Sequence, residues 1–219
     1  MTLRYSTDIV IFGGGVAGLW LLNALRSAGY QAILFEKESL GGAQTMASQG
    51  IIHGGLKYAL QGALSSAAQT IADMPSRWRA CLDGSGELDL HGTRVLSDHY
   101  YMWSNASLRS KLKTFLGSKS LRGRVETVPP DSYPPFFQNA SVKGSLYKLP
   151  DFVVDSESLV ETLASKQHGA IFSLPDSGVN FETGDPKEDR VAVIAHRGRN
   201  IYLSAKRFIF TAGEGNESL

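Results

Sequence analysis

Apolar and polar positions along this chain repeat with two periods, and the opening stretch shows both. Asp8-Ile9-Val10-Ile11-Phe12 is an apolar run of strand length. From Val16 to Ala28 apolar residues recur at helical spacing, and Gly29 supplies a stop. Ala32-Ile33-Leu34-Phe35 is a second strand-like run, closed by Glu36. Residues 38–50, rich in Gly, Ser, Ala and Gln, read as a polar loop, and residues 51–58 as a short apolar run broken by Gly54 and Gly55. Helical spacing returns from Ser65 to Cys81, with Pro75 expected to kink or split that helix. Asp83-Gly84-Ser85-Gly86 marks a break, and Thr93 to Trp103 predicts one or two strands. Ser104 or Asn105 can cap a helix through Leu116, ended by Gly117. Residues 119–150 carry Pro129-Pro130, Pro134-Pro135 and Pro150, which predicts irregular or edge-strand structure. Asp155 or Ser156 opens an amphipathic helix ending near His168-Gly169. Extended segments follow at Ala170–Ser173, Val191–His196 and Ile201–Ser204, the last two flanking a hairpin signal at Arg197-Gly198-Arg199-Asn200. Arg207 to Gly213 reads as a buried strand ending in a Gly-rich turn.

The turn between the first strand and helix is Gly13-Gly14-Gly15-Val16-Ala17-Gly18, which satisfies G-x-G-x-x-G. With a strand before it, a helix after it and an acid about 20 residues on, this is the dinucleotide-binding β-α-β unit in its required context. Gly13 permits the tight turn, Gly15 lets a pyrophosphate approach the backbone, and Gly18 lets the helix sit close to the sheet. The helix N-terminus offers free N–H groups and partial positive charge to phosphates. Glu36 can accept hydrogen bonds from ribose hydroxyls and would repel a 2′-phosphate, which disfavours NADP. Leu22 stands where a smaller residue often allows closer packing.

The bulk properties narrow the setting. The 219 residues suit one large or two small domains, and 42% hydrophobic content supports a core. A net charge of +1 argues neither for nucleic acid nor for an acidic membrane surface, so peripheral membrane association is not indicated. A lone cysteine, Cys81, rules out an internal disulfide framework and fits a buried inert thiol. His91, His99, His168 and His196 lack metal-ligand spacing, so no metal site is expected. Residues 1–8 hold no apolar leader core, which makes the cytoplasm the default location.

Three blocks together resemble the FAD-dependent oxidoreductases of the D-amino-acid oxidase/glycerol-3-phosphate dehydrogenase (DAO) type. They are residues 8–36, the stretch Ser48-Gln49-Gly50-Ile51-Ile52-His53-Gly54-Gly55-Leu56-Lys57-Tyr58, and Phe208-Ile209-Phe210-Thr211-Ala212-Gly213-Glu214-Gly215. The resemblance implies an α/β fold: an FAD-binding, Rossmann-like domain of the glutathione-reductase type with an inserted, incomplete α+β substrate domain. Residues 1–82 and 151–219 would form the first and residues 83–150 part of the second. Such chains normally continue past the second Gly-rich turn, so a fragment of a longer protein is expected.

The resemblance also assigns roles. FAD contact falls to Gly13, Gly14, Gly15, Val16, Ala17, Gly18 and Glu36. Lys37 either packs near the adenine or is a surface lysine. Thr45, Ser48 and Gln49 reach the pyrophosphate or ribityl chain, or are an ordinary polar loop. Gly50, Ile52, Gly54 and Gly55 approach the flavin, Val179 offers its backbone to the adenine, and Ala212 and Gly213 pass near the pyrophosphate. His53 is either the base that takes a substrate hydroxyl proton or a structural hydrogen-bonder. The implied activity is oxidation of a small 2-hydroxyacid, glycerol phosphate or amino acid by hydride transfer to flavin N5, with the 51–58 stretch favouring alcohols. The electron acceptor is a quinone, another carrier or oxygen. The alternatives are a flavin-binding module without catalysis and an NAD-binding dehydrogenase domain.

Overall fold

Strand β1 (Leu3–Phe12) changes character halfway: its first half is mostly exposed and its last four residues are buried. The apolar run read from sequence is the half that enters the core. The structure is a computed structural model, and it describes residues 3–55, 71–104, 125–138, 144–182 and 190–219. Residues 105–116 of the helix expected to start at Ser104 or Asn105, the start of the one expected from Ser65, and Leu56-Lys57-Tyr58 lie outside the described residues. The chain divides into two compact units.

The first unit comprises Met1–Gln49, Cys81–Thr93 and Ser156–Leu219. Its sheet joins β1 to β2 (Ala32–Glu36), β9 (Ile171–Ser173), β10 (Val179–Glu182), β11 (Arg190–His196) and β12 (Arg199–Phe210) in the order β10-β11-β12-β1-β2-β9. The run β12-β1-β2-β9 is parallel, while β10, β11 and β12 form an antiparallel meander. Parallel neighbours need crossovers. Helix α1 (Val16–Ser27) links β1 to β2 and buries Gly18, Leu19, Leu22 and Asn23. Helix α5 (Ser156–Ser165) precedes β9 and buries Leu159, Val160 and Leu163. The two helices are joined through Asn23, whose Nδ2 donates to Leu19 O at 2.8 Å and Leu163 O at 2.9 Å. Cys81 is fully buried and free.

One detail of this sheet differs from the sequence reading. The separate strands expected at 201–204 and 207–213 are one twelve-residue strand, β12. The charged pair Lys206-Arg207 does not break it, because both residues are exposed and Lys206 Nζ meets Asp8 Oδ1 at 2.7 Å on the neighbouring strand. Four parallel strands also place a phenylalanine at one level. Phe210, Phe12, Phe35 and Phe172 pair in register, with successive ring centroids 5.6, 5.8 and 5.7 Å apart. The hairpin between β11 and β12 lies where the signal put it. Arg197 and Gly198 have φ of 50° and 73°, the two positive values that a tight two-residue turn requires.

The second unit comprises Gly50–Ala80 and Arg94–Asp155. It thus includes residues 50–80, which the sequence reading assigns to the cofactor-binding part. It holds two antiparallel three-stranded sheets. One orders β3 (Ile51–Ile52), β8 (Phe152–Val154) and β4 (Val95–Ser97); the other orders β5 (Tyr100–Ser104), β7 (Ser145–Leu149) and β6 (Glu126–Thr127). Strand β7 is a central strand, against the expectation of irregular or edge structure. Its prolines lie outside it, and Ser145, Leu146, Tyr147 and Leu149 are all buried. A turn at Asp73 interrupts the expected 65–81 helix, so helix α3 (Met74–Leu82) has Pro75 in its first turn.

Candidate functional site

Three glycines of the turn after β1, Gly13, Gly14 and Gly18, are hemmed in by specific neighbours. Gly13 has φ of 109°, and a side chain there would meet Ala212 N and Thr211 C at 2.5 Å. At Gly18 a side chain would strike the Gly13 carbonyl and approach Thr211 Oγ1 at 2.7 Å. The Thr211 hydroxyl lies 3.0 Å from Phe12 O and 2.9 Å from Gly13 O, placed to donate its one proton to either. Gly13 N–H donates to Phe35 O at 2.8 Å, and Gly41 N–H to Gly14 O at 2.9 Å. Gly14 is enclosed, since a side chain would meet Leu40 Cδ2 at 2.6 Å and Glu36 Cβ at 3.0 Å.

Gly15 is different. Among the described residues, the one atom that a Cβ there would approach within 4 Å is Thr45 Oγ1, at 3.1 Å. The same hydroxyl accepts the N–H of Val16, the first residue of α1, at 3.0 Å. An open glycine at the start of a twelve-residue helix suits an anion: the helix dipole favours negative charge there, and Gly15 itself adds no side chain.

Glu36 closes β2 beside this turn. Its Oε2 accepts Gly14 N–H at 2.5 Å and its Oε1 accepts Glu38 N–H at 2.9 Å. The carboxylate is therefore anchored beside the glycine turn, as a ribose ligand must be. This pairing of open glycine and fixed acid fits the adenosine and pyrophosphate portions of FAD.

The remaining sequence candidates fall into groups. Ala17 is exposed on α1, and Lys37 is exposed just beyond Glu36. Ser48 Oγ donates to Thr45 O at 2.8 Å, so this hydroxyl steadies the residue that meets Val16; Gln49 is exposed. Ala212 N–H donates to Asn216 Oδ1 at 2.8 Å, and Gly213 has φ of 59°. Ala212 is brought against Gly13. Val179 opens the edge strand β10 and packs on the cluster containing Phe12 and Leu174. No hydrogen bond among the described residues ties it to the glycine turn.

Gly50, Ile52, His53, Gly54 and Gly55 belong to the second unit. Ile52 pairs with Phe152, His53 is exposed, and Gly54 N–H donates to Asp151 Oδ1 at 3.0 Å. Gly50 and Gly55 have φ of 65° and 68°, which favours glycine at both. Sequence reasoning missed Thr211, Gly41 and Asp151 as supporting residues. Thr211 stood inside a recognised block, while no local pattern marks the other two.

Known proteins resemble this chain along its whole length. Residues 8–215 match the DAO family, FAD dependent oxidoreductase. A probable FAD-dependent oxidoreductase of Pseudomonas aeruginosa is 47% identical over 221 residues, covering 100% of this chain and 54% of that protein. Its crystal structure superposes with a TM-score of 0.74 and 37% identity, covering 100% of this chain and 50% of that one. Glycine oxidase from Geobacillus kaustophilus superposes with a TM-score of 0.64 at 15% identity, covering 95% of this chain and 55% of that one. L-Amino acid deaminase from Proteus myxofaciens gives 0.66 at 17%, covering 100% and 49%. At these lower identities the likeness is one of fold. The chain spans about half the length of these relatives. It belongs to the FAD dependent oxidoreductase family, DAO, whose members depend on FAD.

Proposed function

We propose that this member of the DAO family binds FAD through its first unit and serves the oxidation of a small 2-hydroxyacid, glycerol phosphate or amino acid. The observation that carries the reading is the open Gly15 at the N-terminus of α1, with the Glu36 carboxylate anchored to Gly14 beside it. Gly13 to Gly18 take the pyrophosphate, Thr45 and Ser48 line that end, and Glu36 takes the ribose. Residues 50–55 are assigned to the flavin side on the sequence resemblance. Bound FAD supplies a hydride acceptor at flavin N5. His53 is assigned the proton of the substrate O–H, so that loss of that proton and of the C–H hydride together yields a carbonyl. The close likeness of residues 51–58 to hydroxyl-oxidising members supports an alcohol over an amine.

Denaturing the purified protein and chromatographing the released ligand tests the cofactor. FAD is the expected product, and NAD alone would overturn the reading. Anaerobic titration of the protein as its gene encodes it with 2-hydroxyacids, amino acids and glycerol 3-phosphate then tests chemistry. Bleaching of the flavin band is expected with one class. No bleaching with any of them would favour a flavin-binding module without catalysis.

A further inference from the structure

The short ladder between β3 and β8 ends in an unusual way. In an antiparallel pair, hydrogen-bonded positions alternate with non-bonded ones. Val154 N–H donates to Gly50 O at 2.9 Å, and Ile51 and Ile52 pair with Val153 and Phe152. Continuing this register, the bonded positions are 50 with 154, 52 with 152, and 54 with 150. Position 150 is Pro150, which has no N–H, so this rung cannot exchange both bonds. The ladder is instead continued by a side chain. Asp151 Oδ1 accepts the Gly54 N–H at 3.0 Å, and Asp151 is only 8% exposed. A buried carboxylate without a hydrogen bond is costly, so this contact is strongly favoured over an alternative loop conformation.

His53 lies between the last main-chain pair, Ile52 with Phe152, and this side-chain rung at Gly54. Its backbone is held on both sides while its side chain stays exposed. We propose that Asp151 is a positioning residue: its carboxylate replaces the rung that Pro150 cannot make and fixes the backbone from which His53 projects. This inference rests on the reading of His53 as the base. The clamp itself is a separate claim about Gly54.

The test uses the protein as its gene encodes it, with FAD bound. Amide exchange across residues 50–55 reads the clamp without reference to chemistry. Asp151→Ala is expected to speed exchange at Gly54 by about tenfold or more, while Asp151→Asn, which keeps an acceptor oxygen, stays close to wild type. Unchanged exchange in Asp151→Ala overturns the clamp whatever the kinetics show. If that variant does not fold, Asp151→Ser, which keeps a polar atom but draws it back from Gly54, takes its place with the same expectation.

Stopped-flow flavin reduction reads the consequence. Asp151→Ala is expected to slow reduction about tenfold at equal FAD occupancy, with rescue in Asp151→Asn. Adding Asp151→Ala to His53→Ala is expected to slow reduction no further, because Asp151 acts through His53. An additive double variant would overturn that route. A His53→Ala protein that reduces flavin at the wild-type rate would remove the base assignment and leave the exchange result standing.

Discussion

Gly15 and Gly18 occupy one turn and are glycine for different reasons. Gly18 touches protein, with the Gly13 carbonyl and the Thr211 hydroxyl filling the place of a side chain. Among the described residues Gly15 meets only Thr45 Oγ1, and its φ of −73° suits any residue. Gly18→Ala is therefore expected to cost about 1–3 kcal/mol of folding stability through overpacking against backbone. Gly15→Ala is expected to melt within about 0.5 kcal/mol of wild type yet lose FAD affinity about tenfold or more, because its methyl group enters the phosphate cradle. Thermal melts paired with FAD titrations separate the two, and a Gly18→Ala melt equal to wild type would contradict the packing role. Glu36→Ala is expected to weaken FAD binding by about 1.5–3 kcal/mol, the worth of hydrogen bonds to a charged group. Titration at wild-type affinity would take Glu36 out of the site.

Two carboxylates tie elements together and make stability depend on pH. Asp8 on β1 is held below the usual carboxylate range by the hydrogen bond from Lys206 of β12 and then by Gln31 N–H. Asp89 is held lower still by the Lys166 ammonium just past α5, then by the His91 N–H and imidazole. The unfolded chain takes up these protons at higher pH than the folded one. Both contacts therefore contribute fully above about pH 4 and are lost as pH falls below that value. Asp89→Asn is expected to lower the neutral melting temperature only slightly, since exposed pairs contribute little, and to make the acid limb of the melting curve shallower by the same small amount. An acid limb of unchanged steepness would show that Asp89 is not among the groups responsible. The same elements show what a local reading can reach. Strand β1, helix α1 and strand β2 were legible because period, turn glycines and closing acid agree over one stretch. Strand β7 was not, because Ser145-Leu146-Tyr147-Lys148-Leu149 is buried on both faces and carries no alternation. The supports of the site were hidden by distance. Thr211 meets Gly13 across 198 positions and Asp151 meets Gly54 across 97, and nothing near either residue says which remote group it will find.

At the scale of the whole molecule, cofactor binding and folding are linked. FAD at one hundred times its dissociation constant is expected to stabilise the protein by about 2.7 kcal/mol, whereas NAD at the same concentration gives no shift. Equal shifts by both in a thermal melt would remove the preference for FAD. Turnover is a separate matter. The 219-residue chain by itself is expected to bind FAD without appreciable oxidation of any of the three substrate classes, since it spans about half the length of its relatives. Rapid steady-state turnover by this chain alone would overturn that expectation. The seating of Ala212 against Gly13 also has a consequence in time. The strand and turn that brace the glycine turn are made about 200 residues after it. At translation rates of about 5–20 residues per second, the turn waits roughly 10–40 s for its brace. Nascent chains halted before residue 199 are thus expected to retain no FAD, while chains carried past Gly213 and clear of the exit tunnel capture it, so the cofactor reports when synthesis has passed that point.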